Sequence, residues 1–168
     1  SALGTFATGV TIMTTVDGNG QRYGMTANSF AAVSLSPPLV LWSVARSSAS
    51  AGAFLAASHF AVNVLAASQM ALSRQFARPS ADKFAGIATL GGIGGVPLIP
   101  DAAATFECRL ETHYPGGDHE VILGRVLRYT HSDREPLVFC RGRYVRGVDL
   151  GSTADVDANL AEIWGGLA

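Results

Sequence analysis

Val10-Thr11-Ile12-Met13-Thr14-Thr15-Val16-Asp17-Gly18-Asn19-Gly20-Gln21-Arg22-Tyr23-Gly24-Met25-Thr26 is the stretch that decides the fold class. Val10 to Val16 is β-branched and rich in threonine, the composition of a strand packed into a sheet. Asp17 to Gly20 then supplies a cluster of turn residues before Gln21 to Thr26, so the segment reads as a β-hairpin.

Outward from that hairpin, strands dominate. Leu39 to Ala45 is a buried strand introduced by Pro37-Pro38, two residues that cannot both sit inside a sheet ladder and so mark its start. The serines from Ser47 to Ser50 suit the cap of a short helix over Ala51 to Ala57, and Phe60 to Leu65 returns to strand. Ser68 is positioned to cap a second helix through about Ala77, with Met70, Leu72 and Phe76 as its apolar positions and Arg78-Pro79 as its stop. Gly86 to Pro100 reads as a glycine-rich loop. Ala104 to Tyr114, His119 to Thr130 and Leu137 to Arg146 follow as three strands, separated by Pro115-Gly116-Gly117 and His131-Ser132-Asp133-Arg134. Many strands, close turns and two short helices define a mainly β chain, a closed or partly closed antiparallel barrel with helices packed outside. Residues 1–150 form one unit. Residues 151–168 are a separate extension, in which Asn159 to Leu167 is a weakly helical apolar patch suited to packing on a neighbouring subunit.

The bulk properties agree with one domain. The chain has 168 residues, 48% of them hydrophobic and only 15% charged, which supplies one well-packed core and leaves surface to be buried against a second copy. Twelve basic and 13 acidic residues are interspersed, so no basic stripe is offered to nucleic acid or anionic lipid. Lys83 is the only lysine. No apolar run approaches the roughly 18 residues that span a bilayer, and two cysteines, Cys108 and Cys140, cannot make a disulfide framework, so a soluble, cytoplasmic protein is expected.

Three segments carry candidate chemistry. Arg46 and the serines of Ser47-Ser48-Ala49-Ser50 stand between a buried strand and a helix, where hydroxyls, amides and one guanidinium suit an anion; the same serines equally suit ordinary capping. Gly24-Met25-Thr26-Ala27-Asn28-Ser29-Phe30 leaves its strand with amide and hydroxyl groups fit for the polar edge of a heterocycle, or as a solvent loop. Gly116-Gly117-Asp118-His119 sets an imidazole at the first residue of a strand, in a catalytic or a structural position. His59, His113 and His131 share no ligand spacing with it, so no metal site is expected. Gly91-Gly92-Ile93-Gly94-Gly95 does not match the dinucleotide fingerprint, and neither a phosphate-loop lysine motif nor a nucleophile elbow occurs.

The run from Gly24 to Phe30 continuing through Ser36-Pro37-Pro38-Leu39-Val40 resembles the signature of the short-chain flavin reductases. Further motifs agree in order: Arg46 to Ser50, Phe60 to Leu65, Asp82-Lys83-Phe84, Phe106 to Leu110, Gly116 to His119, and Arg141-Gly142-Arg143-Tyr144. The resemblance implies an FMN-binding split barrel of Greek-key type, a homodimer, and NADH- or NADPH-dependent reduction of FMN or FAD for a separate oxygenase. It assigns Thr26, Ala27, Asn28 and Ser29 to the isoalloxazine edge, Arg46, Ser47 and Ser50 to the phosphate end, and Lys83 and Phe84 to closure over the ribityl phosphate. His119, as the catalytic residue, with Arg143 and Tyr144 would meet the nicotinamide. Other functions compatible with an FMN-binding barrel are a non-enzymatic electron carrier and an oxidase similar to pyridoxamine-phosphate oxidase.

Overall fold

In a computed structural model, residues 1–151 are described; the expected extension beyond them lies outside the described residues. The strands are β1 (Thr8–Gly9), β2 (Thr11–Val16), β3 (Arg22–Ala27), β4 (Ala31–Leu35), β5 (Pro38–Ala45), β6 (His59–Val64), β7 (Leu90–Gly91), β8 (Pro97–Leu98), β9 (Ala104–Gly116), β10 (His119–His131), β11 (Val138–Cys140) and β12 (Arg143–Val145). Two short helices, α1 (Ala51–Ala56) and α2 (Met70–Ala77), flank them. The deciding segment forms the expected hairpin, with every residue of β3 paired to β2 from Thr11↔Ala27 to Val16↔Arg22. Asp17 fixes its turn, Oδ1 accepting the amides of Asn19 and Gln21.

The main sheet is antiparallel, in the order β3-β2-β6-β9-β10-β5-β4, and β1-β11-β12 form a smaller one. β3 and β4 are its two edges, yet only Asn28, Ser29 and Phe30 join them. In a flat sheet, six strand spacings of about 4.8 Å would part these edges by about 29 Å. Four Cα steps from Ala27 to Ala31 reach at most about 15 Å. The sheet is therefore rolled until its edges approach. Among the described residues no ladder joins β3 to β4, so of the expected closed or partly closed barrel the structure shows a rolled sheet with an unpaired seam. At that seam the Ser29 hydroxyl takes a strand's place, accepting from Ser43 N at 2.9 Å and donating to Ser43 O at 3.1 Å.

Inside the roll, Trp42 meets Phe54 edge-on at 4.8 Å and packs with Phe60, Met13, Val40, Val44, Val62 and Ile122. A second cluster on the opposite face joins Ile12, Leu65, Phe76, Phe84, Ile99 and Leu137. β2 thus serves two cores through alternate residues, which is why Thr11 to Thr15 are all buried.

Several expectations need correction. Leu137 to Arg146 is not one strand but the β11–β12 hairpin: Arg141 and Gly142 both have positive φ, 51° and 75°, the backbone of a tight two-residue reversal. The glycine-rich segment contains the small β7–β8 pair, and β4 was not expected. Ser68 does not cap α2. It lies in a 3-10 turn, and Gln69 Oε1 accepts the amide of Ala66 instead. Of the positions assigned to the second helix, Phe76 is buried and Leu72 packs against the second cluster, but Met70 is exposed.

Candidate functional site

A cleft of about 940 Å³ opens between β3 and the segment that follows α2. Arg22 to Thr26 form one wall, Phe76 and residues 79–84 the other, and Ser47, Ser48, Ala49 and Ser50 close one end. Of the residues singled out from sequence, Thr26, Ser47, Ser50, Lys83 and Phe84 are brought together here. Ala27, Asn28, Ser29 and Arg46 stand beside the cleft rather than in its lining.

Close approach of the walls depends on Gly24. A Cβ there would lie 2.5 Å from Phe76 Cε1 and 3.1 Å from Phe84 Cζ, so only glycine lets the ring pair rest on the strand. The two rings meet edge to face at 4.9 Å, and the Arg22 guanidinium stands 4.6 Å from the Phe84 centroid. Phe84 is buried core as well as lining. Lys83 is turned inward: its Nζ donates to the carbonyls of Gly24, at 3.2 Å, and Phe76, at 3.1 Å, and burial lowers its pKa. Gln75 Nε2 donates to Lys83 O and Ala85 O, and Asp82 Oδ1 accepts the Phe84 amide. The cleft therefore has a preformed second wall, and one cationic side chain on each wall, Arg22 on β3 and Lys83 opposite.

Thr26 Oγ1 donates to Ser73 O at 2.7 Å, and Ser73 Oγ is 2.9 Å from Tyr144 OH. Through Ser73, Tyr144 is linked to the cleft wall. Arg143, its neighbour in β12, is exposed. The nicotinamide set expected from sequence is spread over two sheets, because His119 opens β10, opposite Ala45 and Gly116.

The hairpin carrying His119 turns on Gly117, φ 69°. His119 Nδ1 is 2.6 Å from Asp118 Oδ1, and this contact holds the Asp118 carboxyl below its usual pKa. Asp118 O accepts the amide of Arg46 at 3.0 Å, tying the hairpin to the end of β5. The Arg46 guanidinium points to Glu120, at 3.0 Å from Oε1, while Oε2 is 3.1 Å from His113 Nδ1. These contacts, that to His113 foremost, hold the Glu120 carboxyl below its ordinary pKa.

Sequence reasoning passed over Arg22, Gln75 and Glu120. Period-two spacing back from Thr26 selects Gly24 and Arg22 on one strand face, a usable signal. Gln75 and Glu120 left none: Gln75 bonds backbone carbonyls of a segment with no periodicity, and Arg46, one partner of Glu120, is 74 residues away.

A mainly β chain with this cleft matches the flavin reductase like domain family over residues 3–147. The chain belongs to that family, and with it to the oxidoreductases. It is 48% identical over 146 residues to an FMN reductase (NADH) of Agrobacterium fabrum, covering 87% of this chain and 83% of that one. It is 43% identical over 145 residues to the reductase subunit of a flavin-dependent monooxygenase of Rhodococcus jostii, covering 86% and 74%. Among solved structures, the NADH:FAD oxidoreductase of Streptomyces globisporus, in complex with NAD and FAD fragments, superposes with a TM-score of 0.84 at 40% identity, covering 90% of this chain and 92% of that one. Two further relatives are longer, and the chain spans 46% of their length. No described helix is long and apolar enough to cross a membrane.

Proposed function

We propose that this chain is an NAD(P)H-dependent reductase of FMN or FAD that takes flavin into the β3 cleft and delivers it reduced to a separate oxygenase. The observation that carries the reading is the convergence of Thr26, Ser47, Ser50, Lys83 and Phe84, from three segments of sequence, on one cleft. Its volume sits at the upper end of small-molecule sites, roughly 300–1,000 Å³. The lining also fits a flavin: apolar rings at Phe76 and Phe84, hydroxyls at Ser47 and Ser50, and cations at Arg22 and Lys83. The printed functions of the relatives agree.

A bound flavin supplies the acceptor for a hydride from reduced nicotinamide. The chain's own residues position and shield. Lys83 and Gln75 hold the second wall in place before ligand arrives, which lowers the cost of ordering it. Thr26 keeps the strand wall against α2 through Ser73. His119, with Asp118 on Nδ1, has its other ring nitrogen available for hydrogen bonding at the nicotinamide position. Arg143 and Tyr144 are the further contacts for the dinucleotide. In this reading the rolled sheet is a split barrel, and two such chains form a homodimer.

The test is oxidation of NADH and of NADPH by catalytic protein with no flavin, FMN, FAD or riboflavin. Flavin-dependent multiple turnover is expected. Flavin binding without turnover would overturn the reading in favour of an electron carrier. His119→Ala should slow turnover while leaving flavin affinity within about twofold.

A further inference from the structure

The basic side chain closest in sequence to the cleft's serines does not serve the cleft. Arg46 precedes Ser47, which is in the lining, but its guanidinium is turned onto Glu120. Glu120 is well placed to hold it: its side chain is 13% exposed and each carboxylate oxygen has one partner, Arg46 on Oε1 and His113 on Oε2. The half-exposed Arg46 needs only a change of rotamer to leave such a pair, and the carboxylate it would leave keeps His113 as partner. The other cations of the lining have contacts inside the cleft, Lys83 with two carbonyls and Arg22 with the Phe84 ring.

We infer that Glu120 is a specificity-determining counter-ion: it competes with the phosphate of a flavin nucleotide for Arg46, and so sets how much that phosphate adds to affinity. The inference rests on the proposed flavin site and deepens it. A flavin without phosphate, riboflavin, has nothing to exchange for the carboxylate and binds independently of Glu120. FMN draws Arg46 across, and the loss of the Arg46–Glu120 pair is part of the cost of its binding. His113 moderates the competition by occupying the second oxygen.

The experiment is titration of the full chain with FMN and with riboflavin at low salt, read by flavin fluorescence, and the quantity is the ratio of the two dissociation constants. Glu120→Gln keeps the shape and removes the charge. It should raise the preference for FMN about three- to fivefold, the worth of one partly exposed ion pair, with riboflavin affinity unchanged. In an Arg46→Met background the same substitution should leave the ratio where Arg46→Met put it. His113→Leu, at an exposed position, should move the ratio the other way by freeing Glu120 to take Arg46 with both oxygens. A ratio unmoved by Glu120→Gln, or FMN and riboflavin weakened alike, would overturn the inference and leave the flavin site standing. Failure of the unaltered chain to bind either flavin would remove the site and the inference with it.

Discussion

The cleft's first wall is a strand, β3, every residue of which pairs with β2, whereas its second wall, residues 79–84, has no ladder and is held by the side chains of Gln75, Asp82 and Lys83. The first wall is placed by backbone register and stays where it is when a side chain is exchanged. The second has its position written into three side chains, because a segment containing Pro79 and small residues cannot join a sheet and has little apolar surface before Phe84. Shape in the cleft is thus robust on one side and a matter of individual hydrogen bonds on the other.

Substitutions can break or sharpen that contrast. The largest effect is expected where the walls share a contact: Phe84→Ala empties a buried site against Phe76 and should cost about 3–4 kcal/mol in chemical denaturation. Gly24→Val, on the ladder-held wall, forces a side chain into the same ring pair and should cost about 2–3 kcal/mol, with flavin affinity lost because the second wall is pushed outward. Lys83→Met removes the two hydrogen bonds by which the second wall is tied to Gly24 O and Phe76 O. About 1–2 kcal/mol of stability should go with them, and proteolysis should begin within residues 79–84 while β3 stays protected. The smallest change, Thr26→Val, deletes one hydroxyl donor from the strand wall, and should cost about 1 kcal/mol without exposing either wall to protease. Protection of β3 lost as readily in Thr26→Val as residues 79–84 are in Lys83→Met would erase the distinction.

The pH dependence sharpens it further. Burial lowers the Lys83 pKa below 10.5, so between the folded value and 10.5 the unfolded chain binds more protons than the folded one. Folded stability contributed at this position therefore rises with pH across that window. The unaltered chain should gain on Lys83→Met as pH climbs toward 10.5 in paired denaturation curves, the difference cancelling every other titrating group.

The legible parts of the molecule share one property, a signal carried by neighbouring residues. The β2–β3 hairpin followed from β-branched runs around Asp17 to Gly20, and the β9–β10 hairpin from Gly116-Gly117. The β11–β12 reversal stayed hidden because half of its turn is Arg141, a residue with no turn preference that is carried to positive φ by its setting. At the site, Thr26, Ser47, Ser50, Lys83 and Phe84 could be named in advance from motif resemblance, but not what each does. Lys83, read as a cover for phosphate, also struts two carbonyls, and Ser29, read as a heterocycle contact, also pairs with the backbone of Ser43 in β5.

The sequence by itself determined the mainly β class, the two short helices, the family and five residues of the cleft's lining, since local composition, turn chemistry and motif order are properties of adjacent residues. Only the tertiary structure decided that the sheet rolls without pairing its seam, that Lys83 turns inward and that Arg46 is taken up by Glu120. The last two depend on groups that meet across 59 residues of chain, Lys83 with Gly24, and 74, Arg46 with Glu120, and a hydrogen bond or ion pair between such remote partners leaves no periodic mark in the sequence that makes it.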